Sequence, residues 1–343
     1  MERVVQRLSA IRADWAWPAS AVIVVGTVLL FAISAIVEPQ STSKGAIDGM
    51  LPFAAVLAIA AVGQTLVIQQ GGIDLSVPGM ISLTVVIMTH HPAGDSSKLF
   101  EALLLAYGCA IVAGLIAGTI VSRIGITAIV TTLGMNALEY GVNLQVSNGT
   151  TATTTSTLQE FVSGSVLGIK TPVAVAIGIT LIVALIIKRT VIGRRFEAVG
   201  ASPRAARAAG LEITRYQIGA YVGANLLYCS AGVLLAGIVQ SPSAFQGDTY
   251  LLPTVAAVVL GGTSLLGGRG SVIATAVGAL FISQLDQFVL TSGVKSAVQY
   301  LVQAGALAIG IAIYSVPWGR LKERLRSDGR EGGSRPATST APT

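Results

Sequence analysis

Gln64, Asp74 and Ser76 place an amide, a carboxylate and a hydroxyl in one otherwise apolar stretch, Gly63-Gln-Thr-Leu-Val-Ile-Gln-Gln-Gly-Gly-Ile-Asp-Leu-Ser-Val-Pro-Gly79. Polar side chains are costly at membrane depth, and irregular backbone persists there only when buried in protein or lining water. Gly71-Gly72 breaks a helix, and Asp74 or Ser76 can cap the next one. Two readings follow: a tight turn with Asp74 as its cap, or a hinge or gate beside a translocation path. Glu139 and Asp286 are the carboxylates most deeply placed within apolar runs, which makes them candidates for a substrate or ion role. Glu139 can equally approach an outer interface, and Asp286 can hydrogen-bond a neighbouring helix through Gln284 or Gln287.

Other chemistries find little support. His90 and His91 adjoin an outer loop with no Cys or acidic cluster at ligand spacing, so no metal site is expected. Gly261-Gly-Thr-Ser-Leu-Leu-Gly-Gly-Arg-Gly-Ser271 invites comparison with a phosphate loop, but the comparison fails. A P-loop carries Lys directly after its second glycine. Counting from Gly262 through Gly267, that place holds Gly268, so this is an inner turn with Arg269 marking its side. Cys109 and Cys229 lie inside apolar runs, which argues against a disulfide. Asn148-Gly-Thr150 matches a glycosylation acceptor by pattern alone.

The elements that must position these residues follow from composition. Of 343 residues 52% are hydrophobic and only 11% charged, and the mean hydropathy is +0.74. A soluble domain carries about 25% charged residues. Soluble enzymes, secreted disulfide scaffolds and disordered chains are excluded, leaving an all-α polytopic membrane protein. Each crossing needs about 20 apolar residues. Runs fall near 19–37, 50–70, 75–90, 101–121, 124–146, 172–188, 214–239, 250–263, 270–291 and 297–316, giving about ten transmembrane helices. The third and eighth are short and hold Pro78 and Pro253, so re-entrant or tilted segments are expected there.

With the N-terminus inside, 18 of the 22 Lys and Arg fall in inner segments, and the positive-inside rule places both termini in the cytoplasm. The organisation is then a cytoplasmic segment over 1–18, a transmembrane domain over 19–317 and a disordered cytoplasmic tail over 318–343. The apolar run after the basic N-terminus lacks a small-residue cleavage site and reads as a first membrane helix.

The inner loop over 189–213 is legible in detail. Ser202 is a good N-cap, Pro203 suits the first helical position and Gly210 suits the stop. Arg204-Ala-Ala-Arg-Ala-Ala between them forms helix readily, after Arg194, Arg195, Phe196 and Glu197. One reading is a basic loop resting on anionic lipid; the other is a short rigid helix that a cytoplasmic partner grips. Gly114/Gly118 and Gly219/Gly223 are pairs that let membrane helices approach closely.

Together these motifs carry a resemblance. Gln64-Thr-Leu-Val-Ile with Gly71-Gly-Ile-Asp-Leu-Ser-Val resembles the signature of the ribose-type sugar permeases of bacterial ATP-binding-cassette importers. Gly193-Arg-Arg-Phe-Glu-Ala-Val-Gly and Ala205-Ala-Arg-Ala-Ala-Gly210 resemble that family's inner coupling loop, and the 261–271 segment with Gly278-Ala-Leu resembles its late segment. Gln70 and Pro78 stand where the family often has Thr and Gly, and an expected proline near 126–134 and an aromatic and glutamine pair near Val294 are absent.

The resemblance implies the importer permease fold in a bacterial inner membrane, with no cofactor in this chain. ATP and Mg would bind a separate cytoplasmic ATPase subunit, which would grip Gly193, Arg194, Arg195, Glu197, Ser202, Arg204, Ala205, Ala206, Arg207 and Gly210. A second permease subunit, an extracytoplasmic solute-binding protein and membrane lipid would be the other partners, with no role for nucleic acid. Gln64, Gly71, Gly72, Asp74, Ser76, Glu139 and Asp286 are the translocation or gating candidates. From other classes, an ion-coupled secondary transporter would use Glu139 or Asp286, and a scaffold protein would leave the capped inner helix without a purpose.

Overall fold

A computed structural model describes residues 19–293, 298, 301, 303–305 and 308. The segments expected over 1–18 and 318–343, and most of the tenth span expected over 297–316, lie outside these residues. In chain order the elements are α1 (Ala19–Val37), α2 (Lys44–Gln69), α3 (Val77–His90), α4 (Leu99–Thr119) and α5 (Ala128–Ser147). A short α6 (Ser156–Ser163) and a hairpin of β1 (Ser165–Val166) and β2 (Ile169–Lys170) precede α7 (Thr171–Arg189). Then come α8 (Val191–Ala201), α9 (Pro203–Ala208), α10 (Ile213–Val239), α11 (Leu251–Leu260) and α12 (Val272–Thr291).

Each of the first nine apolar runs contains one of these helices. Two boundaries differ from expectation for local reasons. Helix α2 begins at Lys44 because the Ser43 hydroxyl accepts the Ala46 N–H. Helix α5 begins only at Ala128, since Gly125 takes a left-handed conformation that interrupts the run. The Thr-rich stretch after Asn148 runs into α6 and the hairpin, which turns through Leu167 and Gly168, both at positive φ.

Among the described residues six helices are long and apolar enough to cross a membrane: α1, α2, α7, α10, α12 and the span Ser96–Ile124 that contains α4. Helices α3 and α11 are shorter, and each follows a non-helical stretch, 70–76 and 240–247.

Helices α2 and α3 are buried on nearly every side over 54–69 and 77–89, as expected of helices apolar all round. Helix α10 packs on α2, α3 and α4, while α12 packs on α2, α11 and α1. Gly114 and Gly118 serve the close approach of α4 to α10; a Cβ there would come within 2.6 Å of the Val222 Cα and 2.8 Å of the Ile218 Cα. The outer helices α1, α4, α5 and α7 expose Leu29, Leu104, Val130 and Leu181 among other apolar side chains, a surface suited to lipid or to another membrane subunit.

The ends of the bundle differ in charge. The end of α2, the starts of α5 and α10, the pair α8–α9 and the 261–271 turn share one end, which carries Arg123, Lys188, Arg189, Arg194, Arg195, Arg204, Arg207, Arg215 and Arg269. We call it the basic end.

Candidate functional site

The first site forms where α2 stops. The Gly71 and Gly72 N–H groups bond back to the carbonyls of Ile68 and Val67, and Gly71 sits at φ +81°, so the helix closes as its two glycines predict. The chain then runs without helix to Ser76, buried from Gly72 onward except for the half-buried Ile73 and Leu75.

The capping differs from expectation. The Ser76 hydroxyl accepts no backbone N–H; it donates to Asp74 Oδ1 at 2.6 Å, and the Ser76 N–H donates to the same oxygen at 2.9 Å. Asp74 thus fixes the turn before α3 rather than capping the helix. The free N–H groups around the start of α3 find partners on α5: Leu75 N–H donates to Thr132 Oγ1 at 2.9 Å and Gly79 N–H to Asn136 Oδ1 at 2.8 Å.

Thr132, Asn136, Glu139 and Asn143 lie on one face of α5 at helical spacing. Asn143 donates to the Ala244 carbonyl, and Tyr140 beside them donates to Asp248. The Gly247 N–H in turn donates to Ser82 Oγ on α3 at 2.9 Å. Both non-helical stretches, 70–76 and 240–247, therefore meet α3 and α5. Opposite them on α10, the Tyr228 hydroxyl lies 2.9 Å from the Gln64 amide, which in its bonded orientation also joins the Asp74 backbone N–H and carbonyl at 3.2 Å.

Glu139 is 4% exposed and lies against Gly79 in mid-bundle, not at an outer interface. Neither Glu139 oxygen, nor Asp74 Oδ2, Asn143 Oδ1 or the Tyr221 hydroxyl, has a hydrogen-bond partner among the described residues. Buried polar atoms are nearly always paired, so this cluster holds unspent bonding capacity. Asp286 is elsewhere, in a cavity of about 190 Å³ lined by Phe53, Leu57, Tyr250 and Pro253. Its carboxylate accepts from Gln303 Nε2 at 2.8 and 2.9 Å, so among the described residues it meets this glutamine and not Gln284 or Gln287.

The second site joins three glycine-bearing segments at the basic end. Helix α8, not foreseen as a separate element, starts because the Thr190 hydroxyl accepts the Gly193 N–H at 3.1 Å. A Cβ on Gly193 would overlap the backbone of Ile186 and Ile187, so glycine allows the sharp bend from α7. Lys188 Nζ and Glu197 clamp the bend at 2.6 Å. At the far end of α8, Gly200 lies against the Gln69 carbonyl, which accepts the Gly268 N–H at 2.9 Å. One turn earlier, the Gln70 side chain donates to the Phe196 carbonyl at 2.9 Å. The last residues of α2, the end of α8 and the 261–271 turn are thus locked together.

Helix α9 forms as its sequence predicts. The Ser202 hydroxyl accepts the Ala205 N–H at 3.3 Å, and Gly210 ends the segment at φ +78°. Among the coupling candidates, Arg194, Arg195, Arg204, Ala205 and Arg207 are exposed. Ala206 is instead buried with Val199 and Ile213, so it anchors α9 and offers no surface. The loop turn at 261–271 holds Gly267 and Gly268 at positive φ and delivers Ser271 as the cap of α12.

Sequence reasoning missed Thr132, Asn136, Tyr221, Tyr228, Gly200 and the fusion of the three segments. The polar positions 132, 136, 139 and 143 recur at i, i+4, i+7 and i+11, a period that could have marked the face.

A family profile described as a permease component of branched-chain amino acid transport systems matches residues 46–311. The chain belongs to that permease family. The permease is 32% identical over 305 residues to the ribose import permease protein RbsC of Escherichia coli strain K12, covering 87% of this chain and 94% of that one. It is 33% identical over 277 residues to the probable ABC transporter permease protein y4mJ of Sinorhizobium fredii, covering 80% and 83%. To the galactofuranose transporter permease protein YtfT of Escherichia coli strain K12 it is 32% identical over 324 residues, covering 91% and 94%. No solved structure matches the permease.

Proposed function

We propose that the permease is the membrane subunit of an ATP-binding-cassette importer in the bacterial inner membrane, translocating a monosaccharide or similar small polar solute. About ten spans, with both termini cytoplasmic, fit the charge asymmetry of its loops and put the basic end inside. Relatives named for ribose import and for galactofuranose transport favour a sugar. The unspent bonding capacity of Asp74, Glu139, Asn143 and Tyr221 suits a hydroxylated solute passing between α3, α5 and α10.

One observation carries the reading: α8 is seated on the residue where α2 breaks. A partner pressing on the exposed face of α9 moves α8, and through Gln69 and Gln70 moves the Gly71–Ser76 segment that borders the buried cluster. Arg194, Arg204, Ala205 and Arg207 form the surface for an ATPase subunit, which binds the ATP and Mg, while Arg195 borders the groove between α7 and α10. Gly193, Glu197, Ser202, Ala206 and Gly210 hold that surface in shape. A second permease subunit completes the path, and a solute-binding protein delivers to the opposite end.

The test is uptake of labelled ribose into cells expressing the permease with its neighbouring subunits, galactofuranose being tried next. Uptake that persists when a protonophore collapses ion gradients while ATP is maintained supports an ATP-driven importer. Uptake that ends with the gradient, at undiminished ATP, overturns it in favour of an ion-coupled carrier.

A further inference from the structure

The Gly219/Gly223 pair of α10 belongs, by its spacing, against a neighbouring helix, yet a Cβ on Gly219 would meet nothing within 4 Å among the described residues. The pair faces a groove of about 640 Å³ between α7, α8 and α10, with Leu66 of α2 at its floor. The groove is graded in polarity along its length. Val183 and Ile187 of α7 and Leu226 and Leu227 of α10 line its depth, while Arg195, Arg215 and Glu212 line its mouth.

From Tyr216 to Leu227 the α10 wall rises about 16 Å, the depth of about one leaflet of a hydrocarbon core roughly 30 Å thick. Its mouth lies at the basic end, where the inner headgroups stand in the orientation proposed above. Flexible acyl chains can follow an apolar groove of this depth inward from the headgroup level.

The mouth selects the headgroup. Glu212 pairs with Arg215 at 2.5 Å, and Arg195 has neither a hydrogen bond nor an ion pair among the described residues. The three charges leave the mouth net positive, beside an apolar throat. Basic pockets between helices on the cytoplasmic side of a membrane bind anionic headgroups. We propose that this groove is a binding site for one anionic phospholipid, its phosphate held by Arg195 and Arg215 and its acyl chain laid along Gly219 and Gly223. A lipid there would brace α8 against α7 and α10, the helix seated on the end of α2.

The test is native mass spectrometry of the full-length permease in mild detergent, titrated with phosphatidylglycerol and with phosphatidylethanolamine of the same acyl chains. One phosphatidylglycerol per chain is expected, held at least fivefold more tightly than phosphatidylethanolamine. Arg195→Gln should reduce phosphatidylglycerol retention about fivefold, the worth of one charge near an anionic headgroup, and leave phosphatidylethanolamine unchanged. Gly219→Leu, which fills open space, should displace both lipids. Equal retention of the two headgroups by the unaltered protein overturns the proposal, as does unchanged phosphatidylglycerol retention in Arg195→Gln. Should Gly219→Leu fail to fold, the headgroup comparison and Arg195→Gln still decide the matter. The readout is lipid mass, so it stands whether or not transport is driven by ATP.

Discussion

Replacing Gly200 with Ala tests the seating of α8 on α2 with the smallest side chain available. A Cβ at this position would overlap the Gln69 carbonyl oxygen and stand 3.2 Å from the Gly268 nitrogen. Both neighbours are backbone, so neither can swing aside, and α8 must retreat by about 1 Å to restore ordinary contact. That retreat would stretch the Gln70–Phe196 hydrogen bond, now 2.9 Å, beyond bonding range. One lost bond at about 0.5–1.5 kcal/mol and an overpacking strain of about 1–3 kcal/mol give a destabilisation of about 1.5–4.5 kcal/mol. Gly178→Ala is the matched control. It sits within α7, where an added Cβ would meet nothing within 4 Å among the described residues, and should be neutral or stabilising by about 0.5–1 kcal/mol. The assay is the thermal denaturation midpoint of the full-length chain in mild detergent, alongside its size-exclusion profile. Gly200→Ala should melt clearly below the unaltered protein and Gly178→Ala at or above it. Equal midpoints for the two variants would refute the seating of α8 on the end of α2.

Thr132→Val removes the oxygen that receives the Leu75 N–H and should cost about 1–3 kcal/mol, whereas Thr132→Ser should melt close to the unaltered protein. Ala206→Asp buries a charge beside Val199 and Ile213 and should abolish a monodisperse elution profile. Ala205→Asp lies on the exposed face and should preserve that profile. Asp74→Ala leaves the Ser76 N–H and hydroxyl without their shared acceptor and should lower the melting midpoint more than Asp74→Asn, which keeps an acceptor oxygen. Glu139→Gln preserves shape and polarity at a buried position and should retain uptake within several-fold; complete loss would favour ion coupling.

The parts of this fold that could be read from sequence are those set by local physics. Helix α9 is an example: its cap, first-turn proline and terminal glycine act within one short segment, and Ser202, Pro203 and Gly210 do what their types predict. The breaks at 70–76 and before α11 were foreshadowed by Gly71-Gly72, Pro78 and Pro253 for the same reason. What could not be read depends on residues far apart in the chain. Gly200, Gln69 and Gly268 have no sequence relation that would place them together, and their contact rests on α7 bending back through Gly193. Asp286 meets Gln303 rather than a nearer glutamine because helix packing, not chain distance, chooses its partner. Ala206 looked interchangeable with Ala205, and only the packing of α9 on Val199 and Ile213 separates them.

The central claim is that the α8–α9 pair receives force from an ATPase subunit, and its most direct measurement is co-purification. The tagged full-length permease should be extracted gently from native membranes and its companions identified by mass spectrometry, beside Ala205→Asp. Recovery of a nucleotide-binding subunit with the unaltered protein, and its loss with a folded Ala205→Asp variant, is the predicted result. Recovery of the folded chain alone, or undiminished capture of the ATPase by Ala205→Asp, would contradict the account.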